Sequence, residues 1–68
     1  MEFIKKYRYI ATGEVDEVTV RWDEGGVEVE WDHPGGWTSA SFIRERSVEE
    51  EDVEQEADWL MSETHEPV

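Results

Sequence analysis

The residues in this sequence that are best suited to chemistry or binding are carboxylates near its C-terminal end. Seven of the ten residues from Glu49 to Asp58 are acidic. On a helix, which rises about 1.5 Å per residue, this composition gives roughly one negative charge per 2 Å of axis. Duplex DNA carries one per about 1.7 Å. The spacing therefore predicts a surface with the charge density of a nucleic-acid backbone.

The two histidines are the other candidates for catalysis or metal binding. His33 follows Asp32 in a loop rich in Gly and Pro, where a carboxylate would orient an imidazole base. No Ser or Thr lies at a spacing that would complete a triad. A metal site from Asp32, His33 and His65 would draw on a loop and a terminus expected to fray, and the acidic run lacks the glycine turn of an EF-hand. We expect no enzymatic activity, no catalytic residue, no metal and no cofactor.

Composition excludes several classes of protein. The chain has 68 residues, 19 of them acidic and 6 basic, with a formal net charge of −13. It contains no cysteine, which excludes disulfides and thiolate zinc sites. No apolar run approaches the ~20 residues of a membrane span, and no signal peptide is visible. Direct nucleic-acid binding is not expected, because it requires a cationic face.

Alternating residues predict the elements that would position these carboxylates. Residues 3–11 predict a first strand and Thr12-Gly13 a turn. A hairpin is predicted around the turn at residues 23–26. Its apolar face comprises Val18, Val20, Trp22, Val27, Val29 and Trp31. Residues 37–44 have strand-like composition, but neither face of this run is distinguished as the buried one.

The C-terminal third predicts a helix. Ser47 and Glu50 fit a capping box, and an apolar stripe at helical spacing extends to Met61. We predict a single α+β domain: a small antiparallel meander of about four strands within residues 1–46, packed against one acidic helix within residues 47–62. Residues 63–68 are expected to fray. An edge strand left open by this fold allows either a monomer or an edge-strand dimer.

The charge is divided unevenly along this architecture. Residues 1–46 hold all six bases and ten acids, whereas residues 47–68 hold nine acids and no base. In size and charge the chain resembles small acidic phage-encoded DNA-mimic inhibitors, including anti-CRISPR proteins. The resemblance is to a class, with no diagnostic motif and no residue roles to transfer. It implies a cytoplasmic protein, in the host cell if phage-encoded.

The leading hypothesis is a non-enzymatic inhibitor that occupies the basic surface of a nucleic-acid-binding protein. The predicted helix residues that contact this partner are Glu49, Glu50, Asp52, Glu54, Glu56 and Asp58. A second patch comprises Glu28 and Glu30, with Asp23 and Glu24 in the flanking loop. The sheet and helix carboxylates would form one band if the two surfaces are contiguous. Alternatively, Glu28 and Glu30 pair with Arg21, Lys6 or Arg8.

Two alternative functions remain open. An SH3- or chromo-like module would bind a basic or methylated peptide through an aromatic cage beside Asp23 and Glu24. The aromatic residues available for that cage are Tyr7, Tyr9, Trp22, Trp31 and Trp37. In a halophilic domain, by contrast, the acidity would serve solvation alone. Trp59 lies off the apolar stripe of the helix and would be an interface hot spot if exposed.

Overall fold

The chain folds as an α+β domain in which one helix crosses one face of an antiparallel sheet. The computed structural model describes residues 1–32, the backbone of residues 39–44 and residues 48–68. The strands are β1 (Glu2–Tyr9), β2 (Val15–Asp23), β3 (Gly26–Asp32), β4 (Ser39–Arg44) and β5 (His65–Pro67). A 3₁₀ turn, Glu50–Asp52, leads into helix α1 (Val53–Met61).

The sheet has five strands in the order β4-β3-β2-β1-β5. Its first four strands run antiparallel in chain order, which confirms the predicted meander. The expected fraying of residues 63–68 is wrong for His65–Pro67, because this segment pairs antiparallel with β1 as a fifth strand. A three-residue strand containing proline carries no alternation by which sequence would reveal it.

The predicted hairpin forms β2 and β3. Asp23 lies opposite Gly26, so the connection has two residues, Glu24 and Gly25. The Asp23 side chain accepts a hydrogen bond from the Gly25 amide at 2.7 Å and stabilises the turn. Gly26 has φ of 144°, a backbone conformation that residues other than glycine rarely adopt.

The first strand is shorter than residues 3–11. It ends at Tyr9, whose carbonyl accepts hydrogen bonds from the Thr12 amide at 3.3 Å and the Gly13 amide at 2.7 Å. These bonds turn the chain, so Ile10 and Ala11 lie in the turn. Gly13 has φ of 80°, which glycine adopts without steric cost.

The core lies between the helix and one face of the sheet. The predicted hairpin face is confirmed by Val18, Val20, Val27 and Val29, which are fully buried, and by Trp31, which is 4% exposed. Tyr7 of β1 is also fully buried among them. Removing this apolar surface from water stabilises the fold by about 25 cal/mol per Å².

The helix packs by its predicted stripe. Val53, Ala57 and Met61 are buried, and Leu60 packs partly against the core. The helical segment starts with the 3₁₀ turn at Glu50, later than the start of the predicted range 47–62. Among described residues, neither Glu49 nor Asp52 makes a side-chain cap hydrogen bond, and Ser47 of the predicted capping box lies outside the described residues. Trp37 and the buried face of β4 also lie outside them.

Candidate partner-binding surface

The helical segment begins with a run of exposed charge. Glu49, Glu50, Glu51 and Asp52, which we call the acidic end, are all exposed. Within residues 1–32 and 48–68, no base forms an ion pair with them. The amide groups of the first helical turn supply a partial positive charge that stabilises nearby carboxylates. The acidic end therefore presents four carboxylates to solvent.

A lysine of the sheet offsets part of the negative charge in the middle of the helix. Lys5 of β1 lies on the same face as Tyr7, and its Nζ lies 2.6 Å from Glu54 and 2.9 Å from Asp58. Partial burial acts to lower the pKa of Lys5, but the hydrogen bonds and charges of the two carboxylates outweigh it and raise the pKa. Glu54 and Asp58 thus hold the helix on the sheet.

Asp58 also accepts a hydrogen bond from the Tyr7 hydroxyl. Burial of the Tyr7 ring raises the pKa of its hydroxyl well above the ordinary value, and the bond to Asp58 adds to this effect. The side chain of Asp58 is 35% exposed, compared with 64% for Glu54. Asp58 is consequently more a structural residue than a surface carboxylate.

The six predicted helix carboxylates therefore separate into groups. Glu49, Glu50 and Asp52 belong to the acidic end, and Glu56 is partly buried. Glu54 and Asp58 are paired with Lys5 as described. The prediction omitted Glu51, although its position within the unbroken run from Glu49 to Asp52 was the signal that should have included it.

The second predicted patch lies on the opposite face of the sheet. Because Val27, Val29 and Trp31 point into the core beneath the helix, Glu28 and Glu30 point away from it. The helix and the patch are on different sides of the sheet, so the structure does not join them into one band.

Arg21 occupies the centre of this second patch. Its guanidinium lies 2.9 Å from Glu28, 3.7 Å from Glu30 and 3.1 Å from Glu2. The hydrogen bond to Glu28 is the main cause of the raised pKa of Arg21. The expected cross-strand pairing with Arg21 is confirmed, whereas Arg8 pairs instead with Glu66 at 3.0 Å. Arg21 thus offsets part of the negative charge of this patch.

The predicted loop residues Asp23 and Glu24 are exposed at the tip of the hairpin. Asp23 already accepts the turn hydrogen bond from Gly25. The two residues add negative charge to the tip of the hairpin.

The aromatic residues of the alternative hypothesis do not assemble into an open cage in the part of the chain described. Tyr7 and Trp31 are core residues. Trp22 is half-buried and packs edge-on against Phe3, with ring centroids 5.6 Å apart. Tyr9 packs against His65, and Trp37 lies outside the described residues. Trp59 is different, because it is 62% exposed on α1.

His65 has a structural partner that the sequence did not indicate. Its Nε2 lies 2.7 Å from Asp16 Oδ2, and its Nδ1 lies 2.7 Å from the Thr64 hydroxyl. The rings of Tyr9 and Trp31 contact it at centroid distances of 5.1 and 4.9 Å. His65 and Asp16 are both buried, so the pair ties β5 to β2 across β1. Asp32 is exposed, and His33 lies outside the described residues.

Comparisons with known proteins add no assignment to this geometry. No protein-family model matches the sequence, and neither a curated protein nor a solved structure is significantly similar to it. None of the helices in the described ranges is long and apolar enough to cross a membrane. The described His, Asp and Glu side chains include no group of three arranged to hold a metal ion.

Proposed function

We propose that this protein is a non-enzymatic DNA-mimic inhibitor of the anti-CRISPR or anti-restriction type. Its acidic end occupies the basic nucleic-acid-binding surface of a target protein. The observation that carries the proposal is a contrast within one helical segment: Glu54 and Asp58 contact Lys5, whereas the exposed carboxylates Glu49–Asp52 contact no base among the described residues. The charge that no described base offsets is therefore concentrated at one end of this segment.

The mechanism requires no reacting group. Carboxylates of the acidic end meet Arg and Lys side chains of the target, and an arginine fork bonds a carboxylate through two parallel hydrogen bonds. The net charge of −13 accelerates encounter with a basic protein through its long-range field. Salt weakens the complex, since the screening length falls from about 10 Å at 0.1 M to about 3 Å at 1 M. The target's own nucleic acid competes for the same groups.

Two double variants with the same net charge test the proposal. Glu50→Gln with Glu51→Gln removes two charges from the acidic end. Glu14→Gln with Glu17→Gln removes two exposed charges from the β1–β2 turn and the outer face of β2. The immobilised wild-type protein and both variants capture proteins from a lysate, and duplex DNA is then added. Mimicry predicts that DNA releases the captured partner.

The variants must differ for the proposal to stand. If each lost charge-assisted contact contributes about 1.5 kcal/mol, the acidic-end variant binds the released partner on the order of 100-fold more weakly. The control variant retains nearly the wild-type affinity. Equal capture by the two variants would favour acidity that serves solvation alone. Partners that DNA fails to displace would contradict occupation of a nucleic-acid site.

A further inference from the structure

Trp59 is a large aromatic side chain on the solvent-facing side of α1. It follows Ala57, which is fully buried, by two residues and so lies about 200° around the helix from it. Its side chain is 62% exposed. Tryptophan is largely buried on average, and it is enriched among the residues that contribute most to binding at protein interfaces.

The surroundings of this ring are acidic. Asp52 precedes Trp59 by seven residues and Glu63 follows it by four, spacings that place all three on one side of a helix. Asp52 and Ser62 both have helical backbone angles, so this geometry continues beyond the two ends of α1. Asp52 and Glu63 are exposed. The surface thus combines an aromatic face with negative charge on either side.

We infer that Trp59, with Asp52 and Glu63, forms a docking surface for an arginine side chain of a basic protein partner. The inference rests on the proposed function and specifies which cation the partner presents. Carboxylates attract both cations and favour arginine in part, because its fork bonds a carboxylate through two hydrogen bonds, but they provide no surface for the guanidinium plane. The planar guanidinium of arginine stacks on an indole and is more weakly hydrated than the lysine ammonium, so a tryptophan between carboxylates selects arginine.

Two peptides of equal charge test the inference directly. Fluorescein-labelled deca-arginine and deca-lysine are titrated with the wild-type protein, and binding is followed by fluorescence anisotropy at fixed ionic strength. A cation–π contact at an exposed site strengthens arginine binding by about two- to fivefold. Trp59→Leu keeps an apolar side chain without a π face and should remove this increment from deca-arginine. Trp59→Phe should retain part of it.

The outcomes separate this inference from the proposed function. Equal affinity of the wild type for both peptides, or an arginine-to-lysine affinity ratio that is unchanged in Trp59→Leu, overturns the inference and leaves the proposed function in place. Failure of both peptides to bind the wild type overturns both. The Glu50→Gln, Glu51→Gln variant should weaken the binding of both peptides, whereas Trp59→Leu should act on deca-arginine alone. Far-UV circular dichroism verifies that each variant is folded.

Discussion

Replacing Tyr7 with phenylalanine tests the contact by which the sheet holds the helix. Tyr7 is fully buried, and its hydroxyl donates a hydrogen bond to Asp58 of α1. Phenylalanine keeps the ring and its packing in the core. Asp58 retains the ammonium group of Lys5 at 2.9 Å. The change therefore removes one hydrogen bond to a charged acceptor and little else.

The expected loss follows from the exposure of the acceptor. A hydrogen bond to a charged group contributes about 1.5–3 kcal/mol to the free energy of unfolding. Because the Asp58 side chain is 35% exposed, water replaces part of the lost bond, and we expect the lower end, about 1.5 kcal/mol. A domain of 68 residues has a total stability of roughly 3–10 kcal/mol. The variant should lose a substantial fraction of it.

Urea unfolding, followed by tryptophan fluorescence, measures this loss. With a slope of about 1 kcal/mol per molar urea, the midpoint should fall by roughly 1.5 M without a change in slope. Lys5→Met removes the other group that contacts Asp58, so it completes a double-variant cycle with Tyr7→Phe. The double variant should show a coupling of at least about 0.5 kcal/mol. A midpoint within about 0.3 M of the wild type, or additive single effects, would refute the inferred three-residue contact.

Two further predictions concern alkaline pH and the fifth strand. The pKa of Tyr7 is higher in the folded protein than its unfolded value of about 10. Its contribution is therefore complete below about pH 10 and is lost as the pH rises above it. Urea midpoints from pH 8 to 11 should fall more steeply in the wild type than in Tyr7→Phe, and parallel profiles would contradict this. Replacing His65 with alanine leaves Asp16 buried without its hydrogen-bond partner, which should lower the free energy of thermal unfolding by about 3 kcal/mol. An unchanged melting temperature would show that the His65–Asp16 pair does not stabilise β5.

The fold was largely predictable because most of its strands and its helix follow from the local spacing of apolar residues. In β2 and β3, valine and tryptophan alternate with polar residues, and a sheet with one covered face requires that period of two. The stripe from Val53 to Met61 has the helical period for the same reason. The fifth strand was not predictable, because it has only three residues and its side-chain contact is distant in sequence. His65 of this strand contacts Asp16, which lies 49 positions away in the chain.

The site was predictable only in composition. Sequence identifies the run of carboxylates from Glu49 onwards, and their exposure follows from the apolar stripe on the other side of the helix. It does not reveal that Lys5 reaches Glu54, because the two are separated by 49 positions. Lys5 lies two residues before Tyr7 on β1, so the alternation of the strand places both side chains on the apolar face. The alternation does not indicate which carboxylates would pair with Lys5 there.

Lys5 also explains how a small domain tolerates an acidic helix. Glu54 and Asp58 are like charges four residues apart, an arrangement that costs about 0.2–0.5 kcal/mol in an isolated helix. Lys5 contacts both and converts that repulsion into attraction between helix and sheet. No described base contacts the acidic end in this way, so only solvent and the helix dipole reduce the repulsion among its carboxylates. Solvation is served equally well by dispersed charge. Four adjacent carboxylates raise the local potential where a basic groove would meet it, which favours a role in binding.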